Sequence, residues 1–237
     1  MRLRNSFRYK DFGSTGLKVS ELSLGTWGIG GAYTCNCARD TILRECEKSL
    51  RNLRTDRIDC YLVHWPDANV PIEETMDALM QLKQAGKICH IGVPNFSPEQ
   101  ILEARKYGPV EMLQKQYSMA SQESEADLKW TAGQNMGVMT YGSLGTGILS
   151  GKIRKLESYQ VSDNRSRFYK FFREPAFSAI MELLQVMDGI SARRDSVPLA
   201  QIALNWVARR SPLPPPVSWV PRPGTRCWRT AQPSTGD

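Results

Sequence analysis

The stretch that decides the fold of this chain is residues 61–67, which read Tyr61-Leu62-Val63-His64-Trp65-Pro66-Asp67. Residues 58–63 form a largely apolar run, typical of a buried strand in a parallel sheet, and a Trp-Pro-Asp turn follows at once. In a barrel of alternating strands and helices, catalytic side chains lie at the C-terminal ends of the strands. The sequence holds only two histidines, and His64 stands at such an end. We therefore predict that His64 takes part in chemistry.

The sequence around this stretch alternates between helical and extended periodicity. We predict helices over residues 39–52, 72–84, 98–106, 123–134, 175–190 and 198–209. We predict a hairpin within residues 7–20 and strands over residues 22–27, 58–63, 88–93, 112–116 and 138–141. Repeated strand-helix units with apolar strands imply a parallel sheet that is covered on both faces. The sequence therefore predicts an α/β fold.

Composition places the chain among ordinary globular proteins. Its 237 residues suffice for one α/β domain, with 41% hydrophobic and 23% charged residues. The net charge of +7 is spread along the chain, which favours a basic solvated surface over a nucleic-acid interface. We see no secretory signal and no apolar run of membrane-spanning length. The six cysteines without secretory context predict reduced thiols in the cytoplasm.

The last stretch, residues 211–237, differs from the rest. It contains seven of the 14 prolines and no helical or extended period. Proline-rich segments of this kind are usually linkers or ligands for aromatic grooves. Because the change is abrupt, directly after a well-patterned helix, we favour a shifted reading frame. We therefore predict a barrel-derived domain over residues 1–210 and a disordered or out-of-frame tail over residues 211–237.

Two weaker motifs are set aside. The glycine-rich stretch Gly28-Ile29-Gly30-Gly31 lacks the third glycine of a dinucleotide fingerprint, because position 33 is Tyr33, and no helix opens there. The Cys35-Asn36-Cys37 spacing is not the usual zinc spacing. Cys89 and His90 are consecutive strand residues, so their side chains point to opposite faces. We therefore predict no metal site.

Taken in order, the motifs of this chain resemble the aldo-keto reductase family. The resemblance covers roughly residues 7–33 and 39–209. The matching stretches are Tyr9 to Ser20, Leu24-Gly25-Thr26-Trp27, Cys46-Glu47-Lys48-Ser49-Leu50, His64-Trp65-Pro66-Asp67, Pro71-Ile72-Glu73-Glu74-Thr75, Gly92-Val93-Pro94-Asn95-Phe96, Gln114-Lys115-Gln116-Tyr117-Ser118 and Tyr141 to Lys152.

The resemblance implies a (β/α)8 TIM barrel with an N-terminal β-hairpin that uses NADP(H) to reduce aldehydes and ketones. In this chain the barrel is incomplete, because strands 2, 3 and 8 have no counterpart. The family's catalytic set is Asp-Tyr-Lys-His, and His64 stands at the histidine position. The other three members have no place here, since Tyr33 is followed within a few residues by the helix that begins at residue 39. Loss of the acid removes a proton-transfer contribution of about 10²–10⁴-fold.

The resemblance also implies a cofactor site. Asn95 and Gln114 would hold the nicotinamide carboxamide, Tyr141 would stack on the ring, and residues 142–147 would wrap the pyrophosphate. Pro94 stands where the family usually has a serine, so one hydrogen bond is in doubt. Arg165 and Arg167 fit a phosphate clamp or a solvated surface equally. The full implied set is Thr26, Trp27, Asn95, Gln114, Tyr141, Gly142, Ser143, Leu144, Gly145 and Lys152.

The sequence supports three hypotheses about function. The first is an NADP-linked oxidoreductase whose partner is a small-molecule carbonyl substrate, with no nucleic-acid or membrane partner and an open oligomeric state. The second is a catalytically inactive cofactor-binding or regulatory subunit. The third is a non-functional fragment, produced by faulty translation of an intact gene. Turnover lost on His64→Ala favours the first, and nucleotide affinity without turnover favours the second.

Overall fold

The N-terminal hairpin predicted within residues 7–20 is confirmed. The computed structural model describes residues 9–12, 15–20, 37–156 and 168–210. In it β1 (Tyr9–Asp11) pairs antiparallel with β2 (Lys18–Ser20). The connection is closed by the backbone N–H of Phe12, which donates to the carbonyl of Leu17 at 2.7 Å.

The main sheet has four strands in the order β3-β4-β5-β6 within the described ranges. These strands are β3 (Ile58–Leu62), β4 (Ile88–Pro94), β5 (Met112–Gln116) and β6 (Gly137–Tyr141). They are parallel, and their register pairs Leu62 with Gly92 and Pro94 with Gln114. Four parallel strands form half of an eight-stranded barrel, so the predicted incomplete barrel is confirmed. The strand predicted over residues 22–27 lies outside the described residues.

Helices alternate with these strands, as the periodicity predicts. α3 begins with a capping box, in which the Ser97 side chain accepts from the Gln100 backbone N–H. None of the helices in the described ranges is long and apolar enough to cross a membrane. The helices are α1 (Arg39–Leu53), α2 (Ile72–Gln84), α3 (Pro98–Ala104), α4 (Glu125–Gly133), α5 (Ala176–Ala192) and α6 (Leu199–Ala208), with 3-10 turns at Gly145–Ser150 and Lys170–Phe172.

The first core cluster is formed by the apolar faces of α1 and α2 together with apolar residues of β4. Burial of each large side chain stabilises the fold by about 1.5–3 kcal/mol. The members include Ile42, Cys46, Leu50, Met76, Leu79, Leu82, Ile88, Ile91 and Val93. Because the members on α1 and α2 fall at helical spacing, the core side of these two helices could be predicted from the sequence.

A second, smaller cluster joins the hairpin to the sheet. It contains Phe12, Met112 and Met139, with Leu62 packed against it. A Cβ added at Gly137 would lie 1.6 Å from Cε1 of Phe12, so the ring occupies the space above that glycine. A packed interior of this kind is expected for a barrel of this class, which has no pore.

The described residues divide into two compact units. The first comprises the described part of Met1–Lys115 together with Ser124–Tyr141, and it contains all four parallel strands apart from the last residue of β5. The second comprises Gln116–Glu123 and the described part of Gly142–Arg210. It has its own core, which includes Ile148, Phe171, Phe172, Leu184 and Met187. The tail predicted over residues 211–237 lies outside the described residues.

Candidate active site

Four predicted site residues lie at one edge of the main sheet. Because the strands are parallel, their C-terminal ends meet there. His64 follows the end of β3 by two residues, Asn95 follows β4 directly, and Tyr141 is the last residue of β6. Gln114 lies within β5, paired with Pro94. The structure therefore brings together, within the first unit, residues that are 77 positions apart from first to last.

His64 is exposed, and it lies in the bend after β3 rather than in the strand itself. The ring of Trp65 stands edge-on to the imidazole, with ring centroids 6.5 Å apart and planes at 80°. Desolvation by the surrounding atoms lowers the pKa of His64 below its usual value of 6.5. The imidazole is therefore mostly neutral at pH 7, a form that has one N–H donor and one acceptor nitrogen.

Asn95, which directly follows β4, is hydrogen-bonded to both β5 and β6. Its backbone N–H donates to the carbonyl of Gln114 at 2.8 Å, and its Oδ1 accepts a hydrogen bond from the Tyr141 hydroxyl at 3.0 Å. The residue has φ of 63°, a left-handed conformation that asparagine tolerates better than most residues. The half-buried side chain is thereby fixed at the C-terminal edge of the sheet.

Gln114 presents an amide next to Asn95. Its Nε2 donates to the sulfur of Met139 at 2.9 Å, and a thioether is a weak acceptor that a carbonyl oxygen outcompetes. Two neighbouring side-chain amides offer both donors and acceptors, which complement the carboxamide of a nicotinamide. The Tyr141 ring supplies a flat surface of the right kind for an aromatic ring. The chemistry of this donor set therefore fits the nicotinamide end of a dinucleotide.

The loop after β6 begins with a glycine that the local geometry requires. Gly142 has φ of 66°, and a Cβ there would lie 3.4 Å from Cγ of Gln116. Both residues belong to the second unit. Any larger residue at position 142 would have a strained backbone, because L residues rarely adopt this positive φ. The chain therefore turns sharply where β6 ends.

The rest of that loop is compact and internally bonded. The Gly145 N–H donates to the Gly142 carbonyl at 2.7 Å, and Ser143 and Gly145 are buried. Leu144 packs against the core of the second unit, while Lys152 is exposed. The phosphate-binding roles of Gly142, Ser143, Leu144, Gly145 and Lys152 stay predictions.

Several predicted residues lie outside the described part of the chain. They are Thr26, Trp27, Tyr33, Arg165 and Arg167. The roles that the resemblance implies for Thr26 and Trp27 therefore stay predictions as well.

The second histidine belongs to a different cluster. Nδ1 of His90 lies 3.5 Å from Oε1 of Glu111, whose carboxylate also pairs with the ammonium group of Lys83. Lys83 additionally donates to the carbonyl of Cys89 at 2.6 Å. Among the residues that the structure describes, no group of three or more metal-ligating side chains is found.

The sequence interpretation missed four contacts around the site. Met139 accepts from Gln114, and Gln116 lies under Gly142. Cys37 donates from Sγ to the carbonyl of Trp65 at 3.0 Å, and Thr75 donates to the carbonyl of Cys37 at 3.2 Å. No local pattern marks these residues, because each contact joins elements that are distant in the sequence.

Comparison with known proteins identifies a family. The family model described as "Aldo/keto reductase family" matches residues 31–225. The aldo-keto reductase YhdN of Bacillus subtilis is 36% identical over 170 residues, which are 71% of this chain and 51% of that protein. The NADH-specific methylglyoxal reductase of Escherichia coli is 31% identical over 75% of this chain and 55% of its own length. The chain thus spans about half the length of the curated relatives it matches.

Solved structures give a consistent result. A glycerol dehydrogenase from Gluconobacter oxydans superposes with a TM-score of 0.70 at 32% identity, covering 78% of this chain and 56% of that chain. An aldo-keto reductase from Bacillus halodurans superposes with a TM-score of 0.61 over 91% of this chain and 86% of its own. At 20% identity, that second likeness shows the fold alone.

Proposed function

The chain belongs to the aldo/keto reductase family, and from this membership we propose that it binds NADP(H) and reduces aldehydes or ketones to alcohols slowly. The relatives' names describe reductases and a glycerol dehydrogenase, all of them oxidoreductases. The substrate class proposed for this chain is a small carbonyl compound.

The observation that carries the proposal is the connected group Asn95, Gln114 and Tyr141. The Tyr141 hydroxyl donates to Asn95, whose backbone N–H donates to Gln114, so three strand ends hold two amides and a ring in one place. Side chains fixed by such bonds lose little further freedom when a ligand arrives, which favours binding. The bound nicotinamide would supply the hydride.

His64 would act on the carbonyl oxygen. With its pKa lowered by desolvation, the imidazole is neutral at pH 7 and can donate one N–H to that oxygen. Such a hydrogen bond orients the substrate and stabilises negative charge that develops on the oxygen. His64 is thus the proposed catalytic residue.

Turnover is expected to be slow because the proton donor of the family has no counterpart in this sequence. General acid catalysis contributes typically about 10²–10⁴-fold. Water would have to supply the proton instead. We therefore expect detectable nucleotide binding and a turnover number reduced at least by that factor relative to full-length members.

The first experiment measures NADPH binding by fluorescence titration. Replacement of Gln114 by leucine removes an amide hydrogen bond worth about 0.5–1.5 kcal/mol, so the Kd should rise roughly 2- to 10-fold. The same variant should bind 2′-phospho-ADP-ribose, which lacks the nicotinamide, as well as the wild type does. The control is Gln122→Leu, at an exposed glutamine of the second unit.

If Gln114→Leu lowered the affinity for both ligands equally, the result would contradict a contact between Gln114 and the carboxamide. A parallel titration with NADH tests cofactor choice, because the relatives' names include both an NADH-specific enzyme and an NADP(+) enzyme. Tighter binding of NADPH is the result we expect.

The second experiment measures NADPH oxidation with a panel of aldehydes at high protein concentration. We expect slow turnover that disappears in His64→Ala while NADPH binding persists. Turnover that survives in His64→Ala would remove the histidine from the mechanism.

The alternative function is a catalytically inactive cofactor-binding subunit. Two features favour it. The family's catalytic Asp, Tyr and Lys have no counterpart in the sequence, and β3 lies at one edge of the four-stranded sheet within the described ranges. Edge strands can pair with another chain. Stable nucleotide binding without turnover, in a monodisperse protein, is the outcome that selects this alternative.

We also propose a cytoplasmic location and a separate tail over residues 211–237. Cys37, Cys46, Cys60 and Cys89 are free thiols, which suits a reducing compartment. The family match reaches residue 225, into the first part of that tail. Sequencing the gene across the codons for residues 33–39 and 209–237 tests the frame, and an unchanged reading frame would remove the out-of-frame explanation.

A further inference from the structure

Two buried side chains form a short relay that ends at the turn carrying His64. Thr75 is 3% exposed and donates from Oγ1 to the carbonyl of Cys37 at 3.2 Å. Cys37 is 4% exposed and donates from Sγ to the carbonyl of Trp65 at 3.0 Å. Trp65 follows His64 directly, so the relay acts on the Trp65–Pro66 peptide unit, one residue beyond His64.

The relay connects three separate elements of the first unit. Cys37 stands two residues before α1, Thr75 lies in the first turn of α2, and Trp65 lies in the bend after β3. The side chains of α1 and α2 that point inward belong to the same core cluster. One donor of the relay therefore lies on the packed helix α2 and the other is a buried residue just before α1, while the acceptor lies on an exposed loop.

The turn itself has little burial to fix it. His64 is exposed, and Trp65 is 42% exposed, so neither side chain is held by a core. Val63, at 5% exposure, anchors the side before the turn. Asp67 accepts from the backbone N–H of Asn69 at 2.9 Å and organises the side after it. Between these two anchors, the hydrogen bond from the Cys37 thiol restrains the Trp65 carbonyl.

We propose that Cys37 is a positioning residue for His64, and that its thiol, with its own backbone held by Thr75, fixes the turn so that the imidazole faces the reacting carbonyl. The catalytic meaning of this placement rests on the proposed function. The hydrogen-bond relay itself can be tested without any turnover.

The choice of side chain at position 37 makes the proposal specific. A thiol is a weak donor, and a serine hydroxyl is a stronger one of similar shape. Alanine leaves the Trp65 carbonyl without this donor. The contact therefore predicts that Cys37→Ser retains the position of the turn and that Cys37→Ala releases it. At position 75, serine keeps the donor hydroxyl, whereas valine keeps the shape and removes it.

The test is a pH titration of the histidine ring protons by NMR. The chain has only two histidines, so His90 serves as an internal control in every spectrum. In the wild type, the pKa of His64 should lie below 6.5 because of desolvation. In Cys37→Ala and in Thr75→Val, the freed turn should remove the neighbouring atoms that still partly desolvate the exposed imidazole, and the pKa of His64 should move upward toward that ordinary value.

The matched controls are Cys37→Ser, Thr75→Ser and Cys46→Ala. Cys46 is a fully buried thiol on α1 that belongs to the core cluster and not to the relay. All three controls should keep the wild-type titration of His64. Cross-peaks between the His64 and Trp65 rings, expected from their edge-on contact, should weaken only in Cys37→Ala and Thr75→Val.

An unchanged His64 titration in folded Cys37→Ala or folded Thr75→Val overturns the proposal, as does an equal change in Cys46→Ala. Thr75→Val preserves the core shape, so it provides the answer if Cys37→Ala fails to fold. Assays of NADPH binding and turnover separate the proposed function from the proposal about the relay. If wild-type protein neither binds NADPH nor turns over, the proposed function fails, and the NMR result still decides whether the relay holds the turn.

Discussion

The hydroxyl of Tyr141 donates a hydrogen bond to Oδ1 of Asn95 over 3.0 Å, and so joins the ends of β6 and β4 across the intervening strand β5. The two residues are distant in the sequence, yet both are assigned to the nicotinamide end of the proposed site. Their contact therefore couples the stability of the sheet edge to the geometry of the proposed ligand site.

A double-mutant cycle on Tyr141→Phe and Asn95→Gly should measure a coupling of about 0.5–1.5 kcal/mol in the free energy of unfolding, the usual worth of such a bond. Glycine is chosen because Asn95 has a positive φ, which alanine would strain. Urea unfolding provides the measurement. The control cycle pairs Asn95→Gly with Tyr107→Phe beyond the other end of α3, and these two effects should add.

Replacement of Gly137 by alanine should destabilise the chain. The new Cβ would lie 1.6 Å from the Phe12 ring, so the ring must move, at a cost of about 1–3 kcal/mol. The control is Gly133→Ala in α4, where an added Cβ meets nothing within 4 Å. That change should be neutral or stabilise by up to about 1 kcal/mol. If both variants changed the melting temperature by the same amount, the result would contradict the packing of Phe12 against Gly137.

Two thiols should resist alkylation in the folded protein. Burial raises the pKa of Cys46 to about 11 and the pKa of Cys60 to about 12, from a usual value of 9.0. Because the thiolate is the nucleophile, iodoacetamide at pH 8 should modify Cys46 about a hundredfold more slowly than in the unfolded chain, and Cys60 more slowly still. Mass-spectrometric mapping with and without guanidinium checks this. Rapid labelling of either thiol in the native state would show that its site opens readily.

Acid should weaken the second unit through one glutamate. Hydrogen bonds from Lys170 and then Ser121 lower the pKa of Glu123 from 4.5 to about 2. Since the folded-state pKa is the lower one, this stabilisation is present above pH 4.5 and is lost as the pH falls toward 2. Urea unfolding should be measured between pH 6 and pH 2.5. Over this range the free energy of unfolding should fall less in Glu123→Gln than in the wild type. Glu103→Gln, at an exposed glutamate of α3, should follow the wild-type curve.

Local pattern predicted the strands and helices closely. The bounds of α2 (Ile72–Gln84) and β5 (Met112–Gln116) agree with the prediction, since each has a strong period and a clear boundary residue. The helix predicted over residues 123–134 begins at Glu125, and Glu123 lies in the preceding turn, where its side chain bonds to Ser121 and to Lys170, which is distant in the sequence. Helix ends depend on such contacts, which a period does not contain.

The site was predictable only in part. Motif order indicated His64, Asn95, Gln114 and Tyr141, and the parallel strands place all four at one edge. Their mutual bonds were not predictable, because a hydrogen bond between β6 and β4 depends on register and side-chain direction. The relay through Cys37 was missed for the same reason, since a cysteine before a helix has no sequence signature for a donor to a distant carbonyl.

The contact of Phe12 with Gly137 has a consequence for the order of folding. It joins positions about 125 residues apart, so forming it closes a very long loop, and the entropy of that closure opposes its early formation. The local pairs of strand and helix between residues 39 and 141 involve much shorter loops. The hairpin should therefore dock last onto a sheet that is already assembled. Trimming the Phe12 ring to alanine should accelerate unfolding while it leaves the refolding rate nearly unchanged.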